Sequence, residues 1–367
     1  MTRWHRWLGA FLLGMASAAS ESAESTNHSP IAVWDASTRI VTGLGYRDNV
    51  LRSSVVSEGS GFFLTSADAT LMRFSESGSL FTLFLLGEDA RYFDVPDVNH
   101  EQFISGAAQY TTPVGERNEA GLSVNYLYQH QILDVSETEA ISRRVLVLGH
   151  GTTVRPHWKH TLNDGWVVKL EGATLRQIYD GDLDDFWEGS GRLSLIHNYG
   201  NRSEASVGYQ ALLRPYDTRE QFDEAGLTLA GTSLEYMQQE ISGQWRHNWD
   251  EARHWRTTSK LGYMINQDNG SGWFDYNRLQ FSEQLRWVDQ LWEFKINARF
   301  GWYDYPVQTI GNEKLERSYV MLDARAERQL GKGWLLYAVV EREWNMSNDP
   351  LEEYRDWMAG GGVGYDF

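Results

Sequence analysis

The chain has no cysteine among its 367 residues, which excludes a disulfide framework, a thiolate metal centre and a lipidated N-terminal cysteine. No apolar run approaches the eighteen or more residues of a membrane-spanning helix. Positive charge is scarce: 33 Lys and Arg stand against 50 Asp and Glu, a formal net charge of -17. Nucleic-acid-binding proteins present basic surfaces, so this balance argues against a nucleic-acid partner. Neither G-x-S-x-G nor H-E-x-x-H occurs, and the acidic spacing matches no calcium-loop motif. The expectation is a protein that is not an enzyme and carries no cofactor and no metal.

Aromatic residues, by contrast, are plentiful: 16 Trp, 18 Tyr and 15 Phe in a chain only 41% hydrophobic. Their placement has a period of two. In 353–367, Arg355, Trp357, Ala359, Gly361, Val363, Tyr365 and Phe367 fall on one face, and Tyr354, Asp356, Met358 and four more on the other. That is a strand pattern. Trp292, Phe294, Ile296, Ala298, Phe300 and Trp302 likewise oppose Glu293, Lys295, Asn297, Arg299 and Gly301. Ala205, Val207, Tyr209, Ala211 and Leu213 oppose Glu204, Ser206, Gly208, Gln210 and Arg214, with Leu212 interrupting the polar side. Glu283 falls on the apolar side of its strand. A chain of modest hydropathy can cross a bilayer if half of each strand faces lipid and half a wet lumen.

Sixteen candidate strands follow a polar lead-in: 37–50, 60–75, 79–93, 99–112, 119–133, 142–160, 165–179, 185–199, 202–215, 227–248, 253–267, 273–288, 290–304, 314–330, 333–346 and 353–367. Their connections alternate. Short ones such as Asn163-Asp164-Gly165 and Gly331-Lys332-Gly333 carry the residues of tight hairpins. Longer ones, such as 51–59, 134–141 and 215–226, separate them. Seven short and eight long connections join sixteen strands, the arrangement of an up-and-down barrel with both ends on one side. The fold class is all-β: a transmembrane antiparallel up-and-down β-barrel of about sixteen strands over 37–367. Such a barrel leaves an aqueous channel. No connection exceeds a dozen or so residues, so no long loop folded into the pore is expected.

The terminal Phe367, with Tyr365 two residues before it, resembles the C-terminal signal of Gram-negative outer-membrane β-barrels. The resemblance implies recognition by the barrel-assembly machinery, contact with outer-membrane lipid, and a porin-like channel for small solutes or a polymer. The segment Val41-Thr42-Gly43-Leu44-Gly45-Tyr46-Arg47-Asp48-Asn49-Val50 also resembles the first strand of porin-like barrels associated with polysaccharide or protein export. That alternative implies an exported polymer and a periplasmic helical-repeat partner. A structural barrel, an outer-membrane enzyme and a homo-oligomer are the further alternatives.

The N-terminus agrees with export. Arg3 and Arg6 precede the apolar run Leu8 to Met15 and then Ala16-Ser17-Ala18, the pattern of a signal peptide over 1–18. Residues 19–36 then read as a flexible periplasmic lead-in.

The residues expected to line the lumen are Lys169, Glu171, Arg192, Glu204, Glu293, Lys295, Arg299, Asp323, Arg325, Glu327 and Glu341. Rings of charge set pore selectivity. Mixed signs instead suit either a weakly selective pore or ladders of pairs across neighbouring strands. Acidic loops such as 182–185, and Glu137 with Glu139, read as a cation site at the outer mouth or as solvated surface. His150 and His197 could face the lumen, while His157 and His160 beside Trp158 read as rim residues.

Overall fold

The computed structural model describes residues 33–55, 57–95, 98–134, 144–181 and 183–367. The signal segment 1–18, most of the lead-in, Asp182, and Glu137 with Glu139 lie outside these residues.

The strands are β1 (Val33–Arg47), β2 (Ser60–Phe74), β3 (Leu80–Tyr92), β4 (His100–Val114), β5 (Asn118–Asp134), β6 (Arg144–Thr161), β7 (Trp166–Asp180), β8 (Phe186–Tyr199), β9 (Ser203–Pro215), β10 (Gln221–Phe222), β11 (Thr228–Leu229), β12 (Glu235–Asn248), β13 (Trp255–Asp268), β14 (Tyr276–Val288), β15 (Trp292–Ile310), β16 (Glu313–Gly331), β17 (Trp334–Ser347) and β18 (Tyr354–Asp366). All but β10 and β11 form one antiparallel circuit in chain order, closed by β1 against β18 from Arg39↔Asp366 to Arg47↔Met358. Closure leaves no edge in this sheet, so each of its strands finds hydrogen-bond partners on both sides.

Alternation decides which side chains face out. Leu193, Val207, Ile296 and Val340 are about half exposed on the outer face, while Phe103, Met321, Leu335 and Tyr303 are buried on the inner one. Leu212, the apolar residue on the polar side of β9, is buried inside. Outward rings gather at the short-turn end, where Trp158 stacks on His160, Trp166 on His197, Trp245 on His247 and Trp292 on Phe294.

The short turns are built as their residues demand. Gly331, Lys332 and Gly333 all have positive φ (90°, 52° and 82°), a path that glycine adopts without steric cost. Asp250 and Asp289 accept backbone N–H bonds in two other turns, from His254 and Trp255 and from Leu291 and Trp292. These bonds hold both carboxyls below the ordinary aspartate range.

Three sequence expectations change. β1 starts at Val33, inside the stretch read as lead-in. The segment 227–248 is not one strand: β12 starts at Glu235, and 216–234 is a single connection containing the β10–β11 hairpin. It is longer than a dozen residues and folds over the barrel's long-loop end. Tyr216 lies edge-on to Tyr236 at 5.3 Å, and the Arg219 guanidinium sits 4.7 Å from the Phe274 ring. Of the apolar residues at 227–234 that mimic a strand, Leu234 is buried and packs this loop, while Leu227 and Leu229 are exposed. Third, 305–313 is mostly strand, because Tyr305 is buried beside Tyr276 and Tyr303. The ladder shifts register between Asp304 and Thr309, where Pro306 can sit without breaking a bond.

The motif Arg47-Asp48-Asn49 fastens the end of β1. Arg47 donates to Tyr92 Oη (3.1 Å) and Glu101 Oε2 (3.4 Å). The Trp357 N–H donates to Asp48 Oδ1 (2.6 Å), and Asn49 Nδ2 donates to the Arg355 carbonyl (3.1 Å). Val50 and Arg52 follow as buried residues, so this loop also tucks inward.

Candidate functional site

The inner wall is the only extended polar surface among the described strands. Register and alternation bring Lys169, Glu171, Arg192, Glu204, Glu293, Lys295, Arg299, Asp323, Arg325, Glu327 and Glu341 onto it. Their pairing departs from a simple cross-strand ladder. Glu171 does oppose Arg192. But Glu293 opposes Glu327, Lys295 opposes Arg325, and Asp323 opposes Glu341. Like charges side by side are unfavourable.

Compensation comes from along the strand. Lys169 bridges to Glu171, Lys295 to Glu293 (2.6 Å) and Arg325 to Glu327 (2.6 Å), each two residues apart on one face. Neighbouring strands extend these pairs. Arg286 reaches Glu293 at 2.9 Å, and Arg39 reaches both Glu327 (3.2 Å) and Asp366 (2.5 Å). Glu204 is bridged by Arg246 at 3.2 Å. Asn297 donates to Asp323 at 2.5 Å and itself accepts from Gln284 at 2.8 Å.

One stretch of wall keeps its positive charge. Arg192 donates to the hydroxyls of Ser194 (3.3 Å) and Ser242 (3.0 Å), not to a carboxylate. Lys260 on β13 stands between Gln244 and Ser282 in register. It has no hydrogen bond or ion pair among the described residues, and the charges acting on it, Arg299 and Arg192, are both repulsive. All three are only partly buried, as side chains on a wetted wall would be. Elsewhere on the inner face Glu101, Asp323, Glu341, Glu343 and Asp356 are buried, as are Arg47, Arg52 and Arg317.

Sequence reasoning missed Lys260 and the inward arginines 256, 278 and 286. Alternation was the available signal: Arg256 and Lys260 alternate with Trp255, Leu261 and Tyr263. The histidine placements also need correction. His197 and His150 face out, the first 4.4 Å from the Trp166 ring and the second near Tyr126. His157 faces in, 3.6 Å from Glu119, while His160 joins the outward rings. No group of three His, Asp or Glu among the described residues could hold a metal.

Room inside is made partly at the closure seam. Gly43, Gly45, Gly360, Gly362 and Gly364 line the inner faces of β1 and β18. The Tyr337 hydroxyl and the Phe62 ring occupy the space where side chains at Gly43 and Gly45 would stand. Tyr365 and Phe367 lie outside the same seam, their rings 4.7 Å apart, and the Phe367 N–H donates to the Thr38 carbonyl (2.8 Å).

The closed circuit defines the class: an antiparallel up-and-down barrel of sixteen strands. No family model matches the chain, and no curated protein matches it. Solved structures similar to it include an anion-selective porin from Comamonas acidovorans (10% identity, TM-score 0.49, 92% of this chain and 100% of that one). OccAB1 of Acinetobacter baumannii is another (10%, 0.47, 91% and 97%), as is OccK8 (OprE) of Pseudomonas aeruginosa (12%, 0.47, 91% and 98%).

Proposed function

We propose that the chain is an outer-membrane channel of a Gram-negative bacterium, allowing passive passage of small solutes through an aqueous lumen. One observation carries this reading: a closed sixteen-strand circuit with an apolar outer face and a partly solvated, charged inner one. A barrel of this strand number is wide enough for an aqueous channel. The outward rings at the short-turn end suit the polar–apolar boundary of a bilayer, where amphipathic rings settle. Outer-membrane lipid is then the partner of the outer face, and the short turns look into the periplasm.

The lumen-lining residues act in two groups on this reading. Lys169, Glu171, Glu204, Glu293, Lys295, Arg325 and Glu327 form neutralised pairs that stiffen the wall. Lys260, which has no ion pair among the described residues, and Arg192, which donates to two hydroxyls, leave excess positive charge on this stretch of wall, and that favours small anions modestly. The test is conductance in a planar bilayer with a salt gradient. Wild-type protein should open a steady pore with mild anion preference, and Lys260→Glu should move the reversal potential toward cations without loss of folding. A folded, inserted barrel that stays silent would overturn the channel reading.

Arg47-Asp48-Asn49, the residues that suggested an export role, are occupied in fastening β1, so the solute channel is favoured over polymer export. Tyr365 and Phe367 are proposed as the assembly signal read by the barrel-assembly machinery. Deleting Phe367 also removes its bond to Thr38, so outer-membrane assembly should fall. Unchanged assembly in cells would refute this role.

A further inference from the structure

The outer face holds one carboxylate that a lipid-facing wall does not explain. On β14 the outward side chains are Asn277, Leu279, Phe281, Glu283, Leu285 and Trp287, and Glu283 is flanked by Phe281 and Leu285 in the middle of the strand. Its register partners are Ser259 on β13 and Ala298 on β15. On β15, Ala298 is again central, midway between Phe294 and Trp302. Glu283 has no hydrogen bond or ion pair among the described residues, and neither has the Ser259 hydroxyl.

Several other outward charges have partners. Arg73, Arg176, Arg328 and Arg342 each stack over a tryptophan, at 5.2 to 5.4 Å from the ring centre. Asp89 is bridged to Arg91 at 2.6 Å. A long arginine can also reach the interface with its head. Glu283 is short, central and unpaired. Hydrocarbon offers no donor, so a polar group in that position marks a face covered by protein.

We propose that the outer face of β13 and β14 is a self-association surface, where a second copy packs about a two-fold axis. In that arrangement each Glu283 accepts the other copy's Ser259 hydroxyl. The occupant follows from complementarity. An acceptor and a donor, both unsatisfied, stand side by side, and a two-fold operation brings each onto its opposite, so a second copy satisfies both at once. The neighbours Ser259, Ala298 and the outward Gly243 are small, which lets two walls approach closely, as small residues do between membrane segments. This inference rests on the reading of the barrel as membrane-spanning.

The absence of cysteine makes the test clean. Leu261→Cys places one thiol on the proposed surface beside Ser259, and Val340→Cys places one on the outer face of β17. Each full-length protein is reconstituted in lipid vesicles, checked for heat-modifiable folding, and treated with a short bismaleimide. The expected result is a covalent dimer from Leu261→Cys and little from Val340→Cys. Adding Glu283→Leu should lower the Leu261→Cys dimer by roughly tenfold while folding is retained, because two symmetric polar contacts are lost. Equal cross-linking at both sites, or a Leu261→Cys dimer indifferent to Glu283→Leu, overturns the proposal. So does cross-linking in cells to a different protein alone. A chain that folds but does not insert refutes the membrane reading instead, so the two failures are distinguishable.

Discussion

Leu193→Arg is expected to abolish most refolding into lipid vesicles. Leu193 is half exposed on the outer face of β8, central among Trp187, Gly189, Gly191, Leu195, His197 and Tyr199. An arginine at the bilayer midplane of a barrel costs about 2–4 kcal/mol. That is roughly a thirty- to thousand-fold loss in the folding equilibrium. Ser194→Glu is the control. It adds a charge one residue on, at an inward position opposite Lys169 and beside Arg192, where the charge is compensated. Urea unfolding of both variants in vesicles, followed by heat-modifiability, is the measurement. The two faces would be assigned the wrong way round if Leu193→Arg folded like the wild type while Ser194→Glu did not.

Gly362→Val should prevent the barrel from closing. A first side-chain carbon at Gly362 would overlap the Thr42 carbonyl and lie 2.6 Å from Gly43 Cα. Both are backbone atoms of the strand that closes the circuit, so no side chain can move aside. Overpacking of a fixed site costs about 1–3 kcal/mol and sometimes more, and the absence of any relief here points to the upper end. The damage falls on the β1–β18 pairing, so the expected product is an unclosed, protease-sensitive chain. Gly189→Val is the comparison, because a side chain there meets nothing within 4 Å. Limited proteolysis of both in detergent separates them. Equal resistance would mean that the seam tolerates separation and that its glycines are not needed for closure.

The two tests probe different levels of the same design. The first asks about alternation within one strand, which is local and readable. Glu293, Lys295 and Arg299 could be assigned to one face because Trp292, Phe294, Ile296 and Phe300 claim the other. The second asks about contacts between strands far apart in the chain. Nothing in residues 353–367 says that Gly362 will lie against Thr42.

The same division explains the misplaced elements. Leu227 and Leu229 have the spacing of strand residues, yet 216–234 is a loop, because Tyr216, Phe222 and Leu234 anchor it on Tyr236 and Phe274 at the barrel mouth while Leu227 and Leu229 stay exposed. Tyr305 looked like the start of a loop and is a buried strand residue, held among Tyr276 and Tyr303. His197 was ambiguous because a ring of its size suits either face, and the neighbouring Trp166 decided it.

By itself, then, the amino-acid sequence determined the class and the faces: alternation with a period of two, turn residues at intervals, and an even strand count with charges on one side. Those properties live within a dozen residues and follow from strand geometry. The tertiary structure decided which charges meet. Only cross-strand register opposes Glu293 to Glu327, places Lys260 between Gln244 and Ser282 with no carboxylate opposite it, and sets Glu283 beside Ser259. Register is set by all the strands closing together into one circuit, so no single stretch of sequence contains it.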